Sequence, residues 1–193
     1  MIFIWILNFG ISILNAIGCG MAWNDSRQAG GFAHFMNWMG AIMAAVGFTW
    51  CYLILFGAVA TVIPITDDDG NTAPLLSGES LEALYNLGYL MIIGPAIGSG
   101  LAITVNSWMA FAKRRSFGGG MVAGWNTYAQ VSNTISAIQH VPEVSSSLVD
   151  FFKSDKDNKG AVVIVLAAVA LFGGILTTWG IISMIASKRS RAF

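Results

Sequence analysis

Residues 161–186 read AVVIVLAAVALFGGILTTWGIISMIA, and none of these side chains is Asp, Glu, Lys, Arg or His. A helix crosses the hydrocarbon layer of a bilayer with about 20 consecutive apolar residues. A charged side chain in that layer costs about 2.5–3.5 kcal/mol on insertion scales. The composition of this run therefore predicts a membrane-spanning helix.

Three other stretches share this property. Residues 1–24, 35–66 and 83–112 also contain no ionisable side chain. We therefore predict an all-α fold, a polytopic integral membrane helical bundle that forms a single domain over residues 1–193. Four transmembrane helices are predicted, at about residues 2–23, 36–63, 84–112 and 161–186.

The overall composition agrees with this class. Hydrophobic residues make up 55% of the chain and charged residues 10%, whereas soluble domains have about 25% charged residues. The formal net charge is zero, so the chain as a whole has no excess positive charge to attract nucleic acid. We expect the partners to be the lipid bilayer and other membrane proteins, further copies of the chain included. A bacterial inner membrane or a phage-related membrane is the expected location.

A fifth, amphipathic or interfacial helix is predicted at about residues 121–141. Its apolar positions recur at three- and four-residue spacing, which is typical of one helix face: Tyr128, Val131, Ile135 and Ile138. Pro142 is predicted to end the helix, and the glycines at 118–120 to form a flexible joint before it. We expect the apolar face to dock on a partner; packing on the protein's own bundle is the alternative.

Small and amide side chains within the spans predict close helix packing. Glycine and alanine let helix backbones approach, and asparagine can donate hydrogen bonds between helices. The candidate packing residues are Asn8, Asn15, Gly40, Ala44, Gly47, Gly173, Gly174 and Gly180. The packing they predict is either between helices of one chain or between subunits.

The third span has a different pattern around Pro95. Proline removes a helical hydrogen bond, so Gly94, Pro95 and Gly98 predict a kink or local unwinding. Such breaks line substrate pathways in many transporters, and Thr104 and Asn106 lie further along the same span. A kink that serves only helix packing is the alternative interpretation.

Catalytic, cofactor and metal sites are not predicted. His34 and His140 have no Cys or carboxylate arranged around them at ligand spacing, and the Asp-rich segment 67–71 lacks the spacing of a calcium loop. We interpret those acidic residues as a solvated turn. Proton relays and intramembrane enzymes place ionisable groups within the membrane. The uncharged spans therefore favour a protein that is not an enzyme.

The distribution of Lys and Arg predicts the orientation. If four helices cross, the loops 24–34 and 113–159 share one side with seven Lys and Arg, and the other side has three. Cytoplasmic loops are enriched in these residues, so both termini are expected outside the cytoplasm. However, basic residues flank the fourth span on both sides, and one of these clusters breaks the rule in either orientation.

These features favour a non-enzymatic integral membrane subunit of a larger assembly, of the secretion, conjugation or phage-encoded kind. Its role would be that of a scaffold, through helix packing and the docking helix. The first alternative is a homo-oligomeric pore, channel or holin-like protein. A weaker alternative is a membrane protein of the exclusion or immunity type, which blocks such machinery.

Overall fold

The computed structural model describes residues 2–66, 70–154 and 159–190. In these residues the chain forms five long helices and one two-stranded antiparallel sheet. The elements are α1 (Ile2–Ala29), α2 (Gly31–Ala60), β1 (Pro64–Thr66), β2 (Thr72–Pro74), α3 (Gly78–Arg114), α4 (Phe117–Ser154) and α5 (Lys159–Ser190). Helices α1, α2, α3 and α5 are long and apolar enough to cross a membrane. The predicted all-α class, with four such helices, is confirmed.

The first two helices are joined by Gly30 alone. Gly30 has φ +66° and Gly31 has φ +50°, in the left-handed region that glycine adopts without steric cost. The chain therefore reverses direction within a single residue. Residues 24–29, which we had expected in the loop, form the last turns of α1.

Consecutive helices are antiparallel. In the α1–α2 pair, Trp5 bonds to Cys51 and Asn8 bonds to Gly47, so one helix advances as the other returns. In the α3–α4 pair, Trp108 bonds to Thr127, and contacts between the two helices continue to their other ends. The chain therefore runs the length of the bundle five times, and the start of α1 and the end of α5 lie at opposite ends.

Helix α2 lies at the centre of the bundle, packed against α1, α3 and α5. The largest buried cluster lies where α2 ends and α3 begins, and it includes Leu53, Leu84, Leu148 and Val163. Leu76, in the loop after the sheet, is fully buried in the same cluster, and its backbone N–H donates to the carbonyl of Ala60 at 3.1 Å. The loop thus closes this end of the bundle.

Helix α4 is longer than the predicted segment 121–141. It is helical from Phe117, and it continues through Pro142 to Ser154, so the predicted stop at Pro142 and the flexible joint at 118–120 are both wrong. Pro142 is exposed, and beyond it Leu148 packs in the large core cluster. This packing stabilises the last turns despite the hydrogen bond that proline removes.

Helix α3 is likewise unbroken from Gly78 to Arg114, with Pro95 inside it. The local unwinding that we considered at Pro95 is therefore absent from this helix. The acidic side chains of Asp67, Asp68 and Asp69, and two of the charges used to predict orientation, Lys156 and Arg191, lie outside the described residues.

Candidate interaction surfaces of the helix bundle

The inner face of α4 is lined by small and polar side chains. They recur at alternating four- and three-residue spacing, the pattern of a helix packed along a neighbour: Ala123, Thr127, Gln130, Thr134 and Ala137. This face, rather than the apolar one, contacts α3. The sequence analysis did not single out these positions because none of them is a large apolar residue.

Gln130 is the central residue of this contact. Its side chain is 8% exposed, and its Nε2 donates to the backbone carbonyl of Ile97 at 3.0 Å. Gly100 makes room for it, because a Cβ atom at Gly100 would overlap Gln130 Oε1. An amide side chain is thus accommodated between two apolar helices with its donor satisfied.

Two further hydrogen bonds join α3 to α4 closer to their connection. Thr104 Oγ1 is placed to donate to the carbonyl of Gly100, at 2.8 Å, and to that of Asn126 in α4, at 3.2 Å. Trp108 Nε1 donates to Thr127 Oγ1 at 2.8 Å. The polar groups of this hairpin therefore face each other across the α3–α4 contact.

The outer face of α4 is apolar and exposed. The four predicted docking residues lie on it together: Tyr128, Val131, Ile135 and Ile138. Their exposed fractions run from 50% for Ile135 to 71% for Ile138. Towards the start of the helix, Met121 and Trp125 extend the same surface and line a shallow apolar groove on it. We call this surface the α4 outer face.

The candidate pathway residues of α3 do not converge. Gly94, Pro95 and Gly98 lie on the outer surface, and a Cβ atom at either glycine would meet nothing within 4 Å in the described residues. Thr104 faces α4, whereas Asn106 lines a groove towards the start of α2. The structure thus places these residues against different surroundings.

The groove beside Asn106 has a volume of about 500 Å³. Phe32 and Met36 from α2 and Met109 from α3 form its apolar walls, and Lys113 and Arg114 contribute to its polar walls. Basic pockets between membrane helices accommodate anionic lipid headgroups. The shape and charge of this groove are compatible with an anionic amphiphile.

Several predicted packing residues meet at the α1–α2 contact. Asn8 Nδ2 donates to the carbonyl of Gly47 at 3.1 Å, and a Cβ atom at Gly47 would overlap Ser12 Oγ. Ala44 is fully buried, and a Cβ atom at Gly40 would lie 2.8 Å from a cysteine sulfur of α1. These small residues allow the two backbones to approach closely.

Gly173 and Gly174 have the same role between α5 and α2. A Cβ atom at Gly174 would lie 2.7 Å from the backbone nitrogen of Thr49 and 2.8 Å from the carbonyl of Ala45. Gly180 differs, since a Cβ atom there would meet nothing within 4 Å in the described part of the chain. Asn15 is half-buried, and its side chain forms no hydrogen bond with any described residue.

An aromatic cluster at the α1–α2 turn was not predicted as a unit. The ring of Trp23 lies 5.2 Å from those of His34 and Trp38 and 5.4 Å from that of Trp179, between centroids. Trp38 Nε1 donates to His34 Nε2 at 3.2 Å, while His34 Nδ1 lies 3.2 Å from Ser26 Oγ. Both ring nitrogens of His34 thus have partners, and the cluster joins α1, α2 and α5.

The charges of the described residues are divided between the two ends of the bundle. At the end with the α1–α2 and α3–α4 connections, which we call the basic end, Asp25 is the one described acidic residue beside six basic residues: Arg27, Lys113, Arg114, Arg115, Lys188 and Arg189. The opposite end, the acidic end, has Glu79, Glu82, Glu143 and Asp150 with Lys153 and Lys159. Arg189 forms an ion pair with Asp25 at 3.0 Å, which joins α5 to α1.

Comparison of the chain with protein-family models, with curated proteins and with solved structures found no match.

Proposed function

We propose that this chain is a non-enzymatic membrane subunit that serves as a helical scaffold in a larger membrane-embedded assembly. The observation that carries the proposal is the polarity of α4, whose buried Gln130 donates to α3 while its large apolar side chains face outward. A helix arranged in this way has its hydrogen bonds satisfied inside the bundle. Its outer face is then available for lateral apolar contacts in a membrane.

Polar side chains also form hydrogen bonds inside the bundle at other helix contacts. The amides of Asn8, Asn37 and Gln130 each donate to the backbone of a neighbouring helix. Such hydrogen bonds stabilise helix pairs in membranes by roughly 0.6–2 kcal/mol each. They favour one fixed internal packing, which suits a scaffold.

The outer surface has two features that suit contact with another membrane protein. Gly94 and Gly98 are four residues apart on the exposed side of α3, and both are open. Glycines at this spacing let a second helix approach closely. The α4 outer face offers large apolar side chains as well, so a transmembrane helix of another subunit is the partner that these surfaces fit best. Secretion, conjugation or phage-encoded machinery in a bacterial membrane is the proposed setting.

A homo-oligomeric pore is the second candidate. As predicted from sequence, its water route would include Thr104 and Asn106, whereas in the structure these side chains face different neighbours. The open position at Gly180 supports contact between copies of the chain, because helices can approach closely there. A protein of the exclusion or immunity type would use the same outer surfaces to bind the machinery that it blocks.

The composition of the particle extracted from its native membrane in mild detergent tests the proposal. Native mass spectrometry is expected to give a particle that contains other membrane proteins. A closed ring of this chain alone would contradict the scaffold proposal and support the pore. A monomer in several mild detergents would contradict both proposals.

A pair of variants localises the contact. The double variant Ile135→Ala, Ile138→Ala truncates two large side chains of the α4 outer face. We expect it to reduce the amount of other subunits that co-purify. Val165→Ala with Leu176→Ala is the matched control, since both side chains are exposed on α5. Equal recovery of partners with the two double variants would contradict a contact at α4.

A further inference from the structure

We propose that α4 is a fifth membrane-crossing helix, with its outer face at the depth of the hydrocarbon layer. The inference differs from the interfacial helix that we expected from sequence. It is independent of the proposed function, because it concerns only the depth of α4 in the membrane. It also fixes the orientation of the chain.

The first argument is the sequence of α4. Residues 116–139 contain no Asp, Glu, Lys, Arg or His, the same property that marks the other four stretches. At 1.5 Å per residue, the helical part of this stretch, 117–139, forms about 34 Å of helix, which exceeds the roughly 30 Å of a hydrocarbon layer. Glycine, serine, threonine, asparagine and glutamine lower the average hydropathy of this stretch. That composition conceals the span from a test based on mean hydropathy alone.

The second argument is the position of α4 along α3. Near the connection, a Cβ atom at Gly120 would lie 3.1 Å from the ring of Phe111. Gln130 bonds to the middle of α3, and Asn86 Nδ2 lies 3.4 Å from Ser147 Oγ near its start. A helix in the plane of the membrane surface would meet a crossing helix at one level only. Contacts along the whole length of α3 give α4 the same depth as α3.

The third argument is the direction of the side chains. Buried Gln130 and Thr104 lie at the α3–α4 contact, whereas Trp125 is 69% exposed and Tyr128 67% exposed on the outer face. Apolar surface that stays exposed to water is unfavourable by about 25 cal/mol per Å² relative to buried surface. In hydrocarbon that cost is absent, and the inward polar groups keep their hydrogen bonds. Ser132, Asn133 and Gln139 are the exposed polar side chains of residues 117–139, and the remaining arrangement fits a lipid environment.

The fourth argument is the charge. With four crossings, the basic residues on either side of α5 lie on opposite sides of the membrane and conflict with the rule for Lys and Arg. With five crossings, residues 113–115 share the basic end with Lys188 and Arg189, and among the described basic residues Lys153 and Lys159 remain at the other end. Six described basic residues at one end against two at the other then give one orientation. The basic end faces the cytoplasm, so the N-terminus is outside and the C-terminus inside.

Single cysteines in the full chain test the inference. In a Cys19→Ala, Cys51→Ala background, Ser116→Cys reports the basic end and Ser146→Cys the acidic end, since both serines are exposed on opposite halves of the α3–α4 hairpin. Labelling by a membrane-impermeant maleimide is measured in sealed vesicles of known orientation. We expect the two positions to react from opposite sides. Reaction from the same side would overturn the inference.

Two further cysteine variants show whether the protein is correctly folded in the vesicles. Glu79→Cys, at the start of α3, should label from the same side as Ser146→Cys in a folded protein. Val131→Cys, halfway along α4, should be protected in vesicles and react after solubilisation in detergent. Rapid labelling of Val131→Cys in vesicles would place the outer face in water and would overturn the inference. Labelling of Ser116→Cys and Ser146→Cys from opposite sides does not require a partner, so this result is independent of the proposed function.

Discussion

Gln130 of α4 donates a hydrogen bond from Nε2 to the backbone carbonyl of Ile97 in α3, at 3.0 Å. The glutamine is buried, and Gly100 leaves the space that its amide occupies. A long polar side chain in an apolar bundle would be unfavourable without such an acceptor, because an unpaired amide in an apolar environment costs several kcal/mol. The α3–α4 hairpin therefore depends on this pair of residues.

Replacing Gln130 with leucine should weaken the hairpin. Removal of an interhelical hydrogen bond in a membrane protein costs about 0.6–2 kcal/mol. We expect Gln130→Leu to lower the free energy of unfolding by this amount in an SDS titration from mixed micelles. Gln139→Leu is the control, since Gln139 is exposed on the same helix. Identical unfolding midpoints for the two variants would show that the hydrogen bond contributes nothing.

Two glycines of α5 should differ sharply in their response to alanine. A methyl group at Gly174 would collide with the backbone of α2, and overpacking of this kind typically costs about 1–3 kcal/mol. A methyl group at Gly180 meets open space, so Gly180→Ala should leave the stability unchanged or slightly raised. Thermal unfolding in one detergent measures both. Equal destabilisation by the two substitutions would contradict the α2–α5 packing.

Leu76 should be the most sensitive residue outside the helices. It is fully buried in the large core cluster although it lies in a loop. Truncation of a buried leucine costs about 2–5 kcal/mol, so Leu76→Ala should lower the unfolding temperature clearly. Val62→Ala is the control in the same connection, because Val62 is 75% exposed. A result in which both variants unfold like the parent would mean that the loop does not close the bundle.

The two cysteines should be unreactive in the folded protein. Cys19 and Cys51 are both free and buried, and Cys51 Sγ lies 3.3 Å from Asn8 Nδ2. Since a maleimide must reach the sulfur, alkylation should be slow in mild detergent and rapid after denaturation in SDS. Mass spectrometry counts the added groups. Rapid modification of either cysteine before denaturation would contradict its burial between α1 and α2.

The four helices predicted from sequence were predictable because a lipid environment affects composition directly. Helices α1, α2, α3 and α5 each include a long stretch without ionisable residues, whatever their neighbours are. The extent of α4 was missed because Pro142 and the glycines at 118–120 indicated helix ends.

The ends of the helices depended on more than local sequence. Pro142 is a strong stop signal, yet α4 continues because Leu148 and Phe151 pack in the core. The stretch after Trp23 is polar, yet α1 continues to Ala29, where Asn24 and Asp25 bond to the end of α5. In both cases, contacts distant in sequence outweigh the local preference.

The sequence predicted the roles of individual residues only in part. Small residues such as Gly47 indicate close packing by their size, but the helix that they contact depends on how each helix is rotated in the bundle. This rotation places Thr104 against α4 and Asn106 towards α2, only two residues apart. The cluster of Trp23, His34 and Trp179 likewise required the positions of three helices, which periodicity does not give.

The single-residue link at Gly30 has a mechanical consequence. Because one residue joins α1 to α2, α1 cannot slide along its axis or change its tilt without pulling the start of α2 with it. The aromatic cluster around Trp23 holds α5 to the same point. The end of α1, the start of α2 and the last part of α5 are therefore tied together at the basic end of the bundle.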